Sequence, residues 1–148
     1  MAIWQYQIFI VPEEEINSYF EKDGIISSDA LNEINWWKYR QLDITSFDVF
    51  KVLFSIRESW TKDIILFGDE GSSCIEILME EGRIIEISAR IDLRYNYKQF
   101  VTILCEFAQK NNCTFLNNDL KIISTNTQLI EQDIENYTVY KSFFDKLL

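Results

Sequence analysis

Two arginines and an aspartate alternate in the stretch Arg90-Ile91-Asp92-Leu93-Arg94. Side chains two apart on a strand share a face, so Arg90, Asp92 and Arg94 line one side while Ile91 and Leu93 take the other. Two guanidiniums on one face can grip a carboxylate or phosphate, with Asp92 holding them in place. The structural counterpart is a strand-end ion-pair network that fixes the start of the following helix, and it is the preferred reading of the two.

A second group of charges surrounds Gly82. The apolar pattern there selects a three-residue loop of Glu80, Glu81 and Gly82, which pairs Ile77 with Ile85 and Ile75 with Ile87. Glu76 then falls directly opposite Glu86, and Glu80 and Glu81 crowd the turn. Like charges facing each other across two strands cost a few tenths to about 1 kcal/mol. From Asp63 to Gly82 the chain carries six acidic residues and no basic one, so neighbours in sequence cannot neutralise the set. Either these carboxylates form a face for a cationic partner, or Arg83 or Arg90 meets them from the adjoining strand.

The remaining notable groups are aromatic. Trp and Arg dominate binding hot spots, which makes Trp37 of the Trp36-Trp37 pair a candidate partner contact. The default for such a pair is one ring in the core and one as a partly covered lid. Most catalytic templates find no residues to occupy them. The chain has no histidine, no phosphate-binding G-x-x-x-x-G-K-[ST] and no G-x-S-x-G, and its cysteines lack metal spacing, so no catalytic residue, metal ligand or cofactor site is expected. Chemistry by carboxylates alone stays open, because 24 acidic groups make almost any pair available.

These groups need elements to position them. Trp4 to Val11 alternates as a strand, Pro12 ends it, and Glu13-Glu14-Glu15 suit the first turn of a short helix toward Phe20. Thr45 is placed to cap a helix that is apolar nearly all round from Phe47 to Ile56, the pattern of a buried element. Asp63–Phe67, Cys74–Met79 and Arg83–Leu93 read as strands, Tyr97–Asn111 as an amphipathic helix, and Cys113–Leu116 and Leu120–Ser124 as two short strands. Helical spacing returns from Gln128 to Leu147. Adjacent strands joined by short turns imply an α+β fold over residues 1–148, a single domain with a mostly antiparallel sheet and helices packed on it.

Composition narrows the partners. The formal net charge is -10 over 148 residues, which disfavours the polyanionic surfaces of nucleic acids and membranes and suits a basic protein. Cys74, Cys105 and Cys113 form an odd set in apolar stretches and read as small hydrophobes in a reducing compartment. With no signal peptide at the N-terminus and no apolar run near the roughly 18 residues of a membrane span, a cytoplasmic location is expected.

Trp4-Gln5-Tyr6 running to Pro12, the Glu58-Ser59-Trp60 step, Arg90-x-Asp92-x-Arg94 before an amphipathic helix, Phe107-Ala108 and Phe143-Phe144 together follow a diffuse order of elements. In that order the chain resembles the small bacterial immunity proteins encoded beside polymorphic or contact-dependent toxins. The resemblance implies a cytosolic, non-catalytic protein that binds and blocks one cognate toxin domain, and it assigns no functional residue. The expected function is toxin inhibition through Glu76, Glu80, Glu81, Glu86 and Trp37. The alternative is a regulatory module that binds an anionic small molecule through Arg90 and Arg94, with Asp92 between them.

Overall fold

The computed structural model describes residues 2–16, 34–58 and 63–137. The expected extension of the first helix to Phe20, Trp60 and the stretch from 138 onward with Phe143-Phe144 lie outside the described residues. Among the described residues, seven antiparallel strands make one sheet in the order β2-β3-β4-β5-β1-β6-β7. They are β1 (Gln5–Pro12), β2 (Ile56–Glu58), β3 (Ile64–Gly68), β4 (Cys74–Glu80), β5 (Arg83–Asp92), β6 (Cys113–Asn117) and β7 (Ile122–Ile123). The helical elements are α1 (Glu13–Ile16), a 3₁₀ helix (Ile44–Val52), α2 (Lys98–Lys110) and α3 (Thr127–Asn136). The fold is α+β, as the strand and helix signals predict.

Alternation decides which side of the sheet carries the core. Ile8 pairs with Ala89 and Tyr6 with Ile91, while Phe67 pairs with Ile75 and Ile10 with Phe115, so these side chains share one face. All of them are buried. On that face the 3₁₀ helix meets the sheet through Phe50 and Phe67, centred 6.4 Å apart, and meets α2 through Phe47 and Phe107, 5.0 Å apart. The apolar stripe of α2 turns Phe100, Leu104, Phe107 and Ala108 inward, as its helical spacing requires. Helix α3 is fixed at the other edge: Asp133 accepts from the Tyr6 hydroxyl at 2.5 Å and from Asn117 Nδ2 at 3.0 Å.

The segment expected to be a buried α-helix is a 3₁₀ helix with two different sides. Three residues per turn place Phe47 and Phe50 on one line, which is buried, and Val49 and Val52 on another, where Val52 is 73% exposed. The cap differs too. Asp43, rather than Thr45, holds the first turn by accepting from the Thr45 backbone N–H and hydroxyl, both at 3.0 Å.

The β4–β5 hairpin departs from the expected register. Its loop is two residues, Glu81 and Gly82, both with positive φ (51° and 76°), the geometry whose twist suits a tight hairpin. Glu80 therefore faces Arg83 and Met79 faces Ile84. A bulge at Ile85 then shifts the ladder by one residue, so that Ile77 meets Ile87 and Ile75 meets Ala89. The apolar face is kept by the bulge and not by a longer loop. Gln41 completes this corner by accepting from the Ile84 backbone N–H at 2.7 Å and donating to its carbonyl at 3.0 Å, beyond the reach of β1.

Candidate functional site

The shifted register separates the hairpin carboxylates. Glu76 is opposite Ser88, not Glu86, and Glu86 is opposite Leu78. Two residue pairs further along, Arg90 turns toward Glu76 and approaches it to 3.6 Å, with both side chains about one-fifth exposed. Glu76 thus leaves the candidate surface and enters a strand-to-strand ion pair. Glu80, Glu81 and Glu86 remain exposed, and among the described residues none of them forms an ion pair.

Glu86 carries a signature of that crowding. Surrounding protein and then the nearby Glu76 charge hold its carboxyl above the ordinary Glu value. A raised carboxyl pKa means that the folded state holds the proton more tightly, so the ionised group opposes folding as pH rises through that value. Glu86→Gln is therefore expected to stabilise the protein at pH 7 by up to about 0.5 kcal/mol, an amount limited by solvent screening. The gain should vanish below about pH 4, where the Glu86 carboxyl is protonated in the folded and the unfolded chain alike. Urea midpoints at the two pH values check this, and a loss of stability at pH 7 would refute it.

Trp37 cannot act as a surface anchor. It is 1% exposed, and its indole N–H donates to the Ile10 carbonyl at 3.2 Å. Trp36 is buried as well, so neither ring is the expected lid. The reason lies beside them: Arg40 stacks over the Trp37 ring at 5.5 Å while its guanidinium bonds Glu14 and the Asn112 carbonyl, sealing the ring beneath a structural knot. Burial alone would raise the Glu14 carboxyl, but the hydrogen bond and charge of Arg40 together with a backbone hydrogen bond outweigh it and hold the group below its usual value.

The alternating Arg90, Asp92 and Arg94 are likewise pulled apart. Asp92 is 2% exposed and takes Arg94 in a fork, Nε to Oδ1 at 3.0 Å and a terminal nitrogen to Oδ2 at 2.7 Å. Ser72 Oγ donates to the same carboxylate at 2.7 Å, and the Arg94 backbone N–H adds a bond at 3.0 Å. Burial alone would raise the Asp92 pKa, but the bonds from Arg94 and Ser72 outweigh it and hold the carboxyl below its ordinary value. Arg90 faces Glu76 and Arg94 faces Asp92, so the two guanidiniums do not converge on one anion.

The Asp92 network continues into a group that sequence reasoning missed. Arg94 lies over the Trp4 ring at 4.1 Å and beside the Tyr95 ring at 5.5 Å. The Trp4 indole N–H donates to the Gly71 carbonyl at 3.1 Å. Gln5 donates to the carbonyls of Glu70 and Ser72 at 2.9 and 2.6 Å, which pins the β3–β4 turn against the start of β1. Tyr95 is 66% exposed and Ile3 53%. The signal was present in the adjacency Arg94-Tyr95, but only folding brings Trp4 to it from 90 residues away.

No family model, curated protein or solved structure matches this chain. Its chemistry is therefore read from side chains alone. Burial pushes the thiol of Cys74 up to about 12 and those of Cys105 and Cys113 up to about 11, so at neutral pH they are neither nucleophiles nor thiolate ligands. Burial and the hydrogen bond to Asp133 push the Tyr6 phenol up as well. A groove of about 560 Å³ runs between the 3₁₀ helix and α2, with Phe107 at its floor and Asp48, Glu106 and Lys110 along it. Asp48 is ion-paired with Lys51 at 3.0 Å. Among the described residues no cluster of three or more His, Cys, Asp or Glu can hold a metal, and no helix is long and apolar enough to cross a membrane.

Proposed function

We propose that this chain is a non-catalytic, cytoplasmic immunity protein that neutralises a cognate toxin domain with a basic surface by binding it directly. The observation that carries the reading is the β4–β5 hairpin, where Glu80 and Glu81 at the tip and Glu86 within β5 are exposed without an ion-pair partner among the described residues. Glu80 and Glu81 at the turn and Glu86 within β5 outnumber Arg83, which faces Glu80, and their field accelerates encounter with a cationic surface. The Tyr6 phenol and the three cysteine thiols are buried with their protons held. The anion-binding alternative is weakened by the commitment of each arginine to its own carboxylate.

Co-expression with the protein encoded immediately upstream tests the reading. That product alone should arrest growth, and this chain should restore growth and co-purify with it as a stable complex. Continued arrest without a complex would remove the proposal.

A further inference from the structure

Among the described residues the sheet ends at β7, and the outer side of that strand is open. Asn117 donates its backbone N–H to the Lys121 carbonyl at 3.0 Å, and Ile123 lies opposite Phe115. Consecutive residues of an antiparallel ladder aim their N–H and C=O to opposite sides, so those of Ile122 point away from β6. No hydrogen bond reaches the Ile122 backbone from the described residues. An unpaired edge of this kind is a template for a further strand.

Helix α3 turns the edge into a groove of about 290 Å³. Leu129, Gln132 and Asn136 recur at helical spacing along one wall, and β7 with Lys121 forms the other. Leu129 is 43% exposed, Gln132 and Asn136 are exposed, and Ile122 is half-buried. The core-facing side of α3 is separate and buries Ile130 and Ile134. From Leu129 to Asn136 the helix advances roughly 10 Å at about 1.5 Å per residue, the reach of about three residues of extended chain.

We propose that the groove between β7 and α3 docks the extended C-terminal segment of a protein partner, added antiparallel to β7 as a further strand. Backbone geometry requires an extended occupant, because one residue of an antiparallel strand satisfies both outward groups of Ile122. The carboxamides of Gln132 and Asn136 stand on the facing wall, where each can donate to and accept from polar groups on the far side of that strand. Leu129 and Ile122 between them favour an aliphatic side chain in the groove. Charge fixes which part of the partner enters. Of the two titratable groups lining the groove, Asp133 already accepts from Tyr6 and Asn117, whereas Lys121 is exposed and forms no ion pair among the described residues. An antiparallel strand ends where β7 begins, so its terminal carboxylate arrives at the Lys121 ammonium.

This docking is independent of the hairpin reading and is tested without the product encoded upstream. The probe is a displayed library of short random peptides with free C-termini, selected on the full chain. Sequences with an aliphatic residue near the C-terminus should be enriched, and a synthetic peptide of the enriched sequence should slow amide hydrogen exchange at Ile122 at least about tenfold at saturation. Amidating the peptide C-terminus, or Lys121→Ala, should weaken binding at least about threefold, and the two together should cost no more than either alone. Leu129→Ala truncates an exposed side chain and should also weaken binding, with unfolding curves superimposed on the wild type for both variants. No enrichment, or a bound peptide that leaves exchange at Ile122 unchanged, overturns the groove. Binding indifferent both to amidation and to Lys121→Ala overturns the C-terminal occupant. Concentration-dependent self-association that Leu129→Ala abolishes would assign the edge to a second copy of the chain and overturn the partner segment.

Discussion

Replacing Asp92 with alanine is expected to destabilise the protein by about 2–4 kcal/mol. The side chain is buried at the end of β5 and accepts from Ser72, from the Arg94 backbone and twice from the Arg94 guanidinium. Its removal leaves a hydroxyl, an N–H and a guanidinium without their acceptor. Arg94 keeps about a third of its side chain in water, which holds the loss toward the lower part of the range for a broken ion pair. The effect must depend on pH in one direction. Because the folded-state pKa of Asp92 lies below its ordinary value, its contribution is fully present above about pH 4 and is lost as pH falls through the folded value. The difference between wild type and Asp92→Ala in urea unfolding should therefore be largest at neutral pH and shrink in acid. A difference below about 0.5 kcal/mol at pH 7 would mean that the network does not hold this corner.

The contrast between Asp92 and Trp37 marks what the chain discloses before it is folded. Strand alternation and the helical spacing of Phe100, Leu104 and Phe107 are local properties, and they place β1, β3 to β6 and α2 within a residue or two. The structural reading of Arg90-Asp92-Arg94 was also legible in part, because Asp92 and Arg94 are near neighbours; the partner of Arg90 was not, because it depends on register. Register failed at one residue. A tight two-residue turn followed by a bulge at Ile85 keeps Ile75, Ile77 and Ile87 on the buried face, as a three-residue loop would, and pattern alone cannot separate the two. That single shift turned an expected Glu76–Glu86 confrontation into a Glu76–Arg90 pair.

The other departures arise from contacts between distant segments. Trp37 reads as a hot-spot residue, but Arg40, Glu14 and the end of α2 converge to bury it. The segment from Ile44 to Val52 reads as buried all round, but 3₁₀ winding turns Val49 and Val52 away from Phe47 and Phe50. Leu120 offers a smaller case. It holds a φ of +60°, a conformation normally given to Gly or Asn, in a turn whose backbone is organised by the Asn117 side chain accepting from Asp119 and Lys121. Its own side chain is 92% buried, and this hydrophobic gain offsets the strain.

The central claim is that the exposed carboxylates of the hairpin tip guide a basic partner, and reversing their charge should have the largest functional effect. Glu80→Lys with Glu81→Lys moves the tip from two negative to two positive charges at sites where the wild-type side chains are exposed and unpaired. Glu80→Lys sets a cation opposite the exposed Arg83 and should cost folding no more than about 1 kcal/mol, whereas Glu76→Lys would set a cation against the half-buried Arg90 and destabilise the strand pair further. The decisive measurement is the association rate with the protein encoded immediately upstream, taken by rapid mixing across a salt series for wild type and the double variant. The account predicts a wild-type rate that falls steeply with salt, and a double-variant rate at least roughly tenfold lower at low salt with its salt dependence flattened or inverted. Equal rates and equal salt slopes for the two proteins would contradict it.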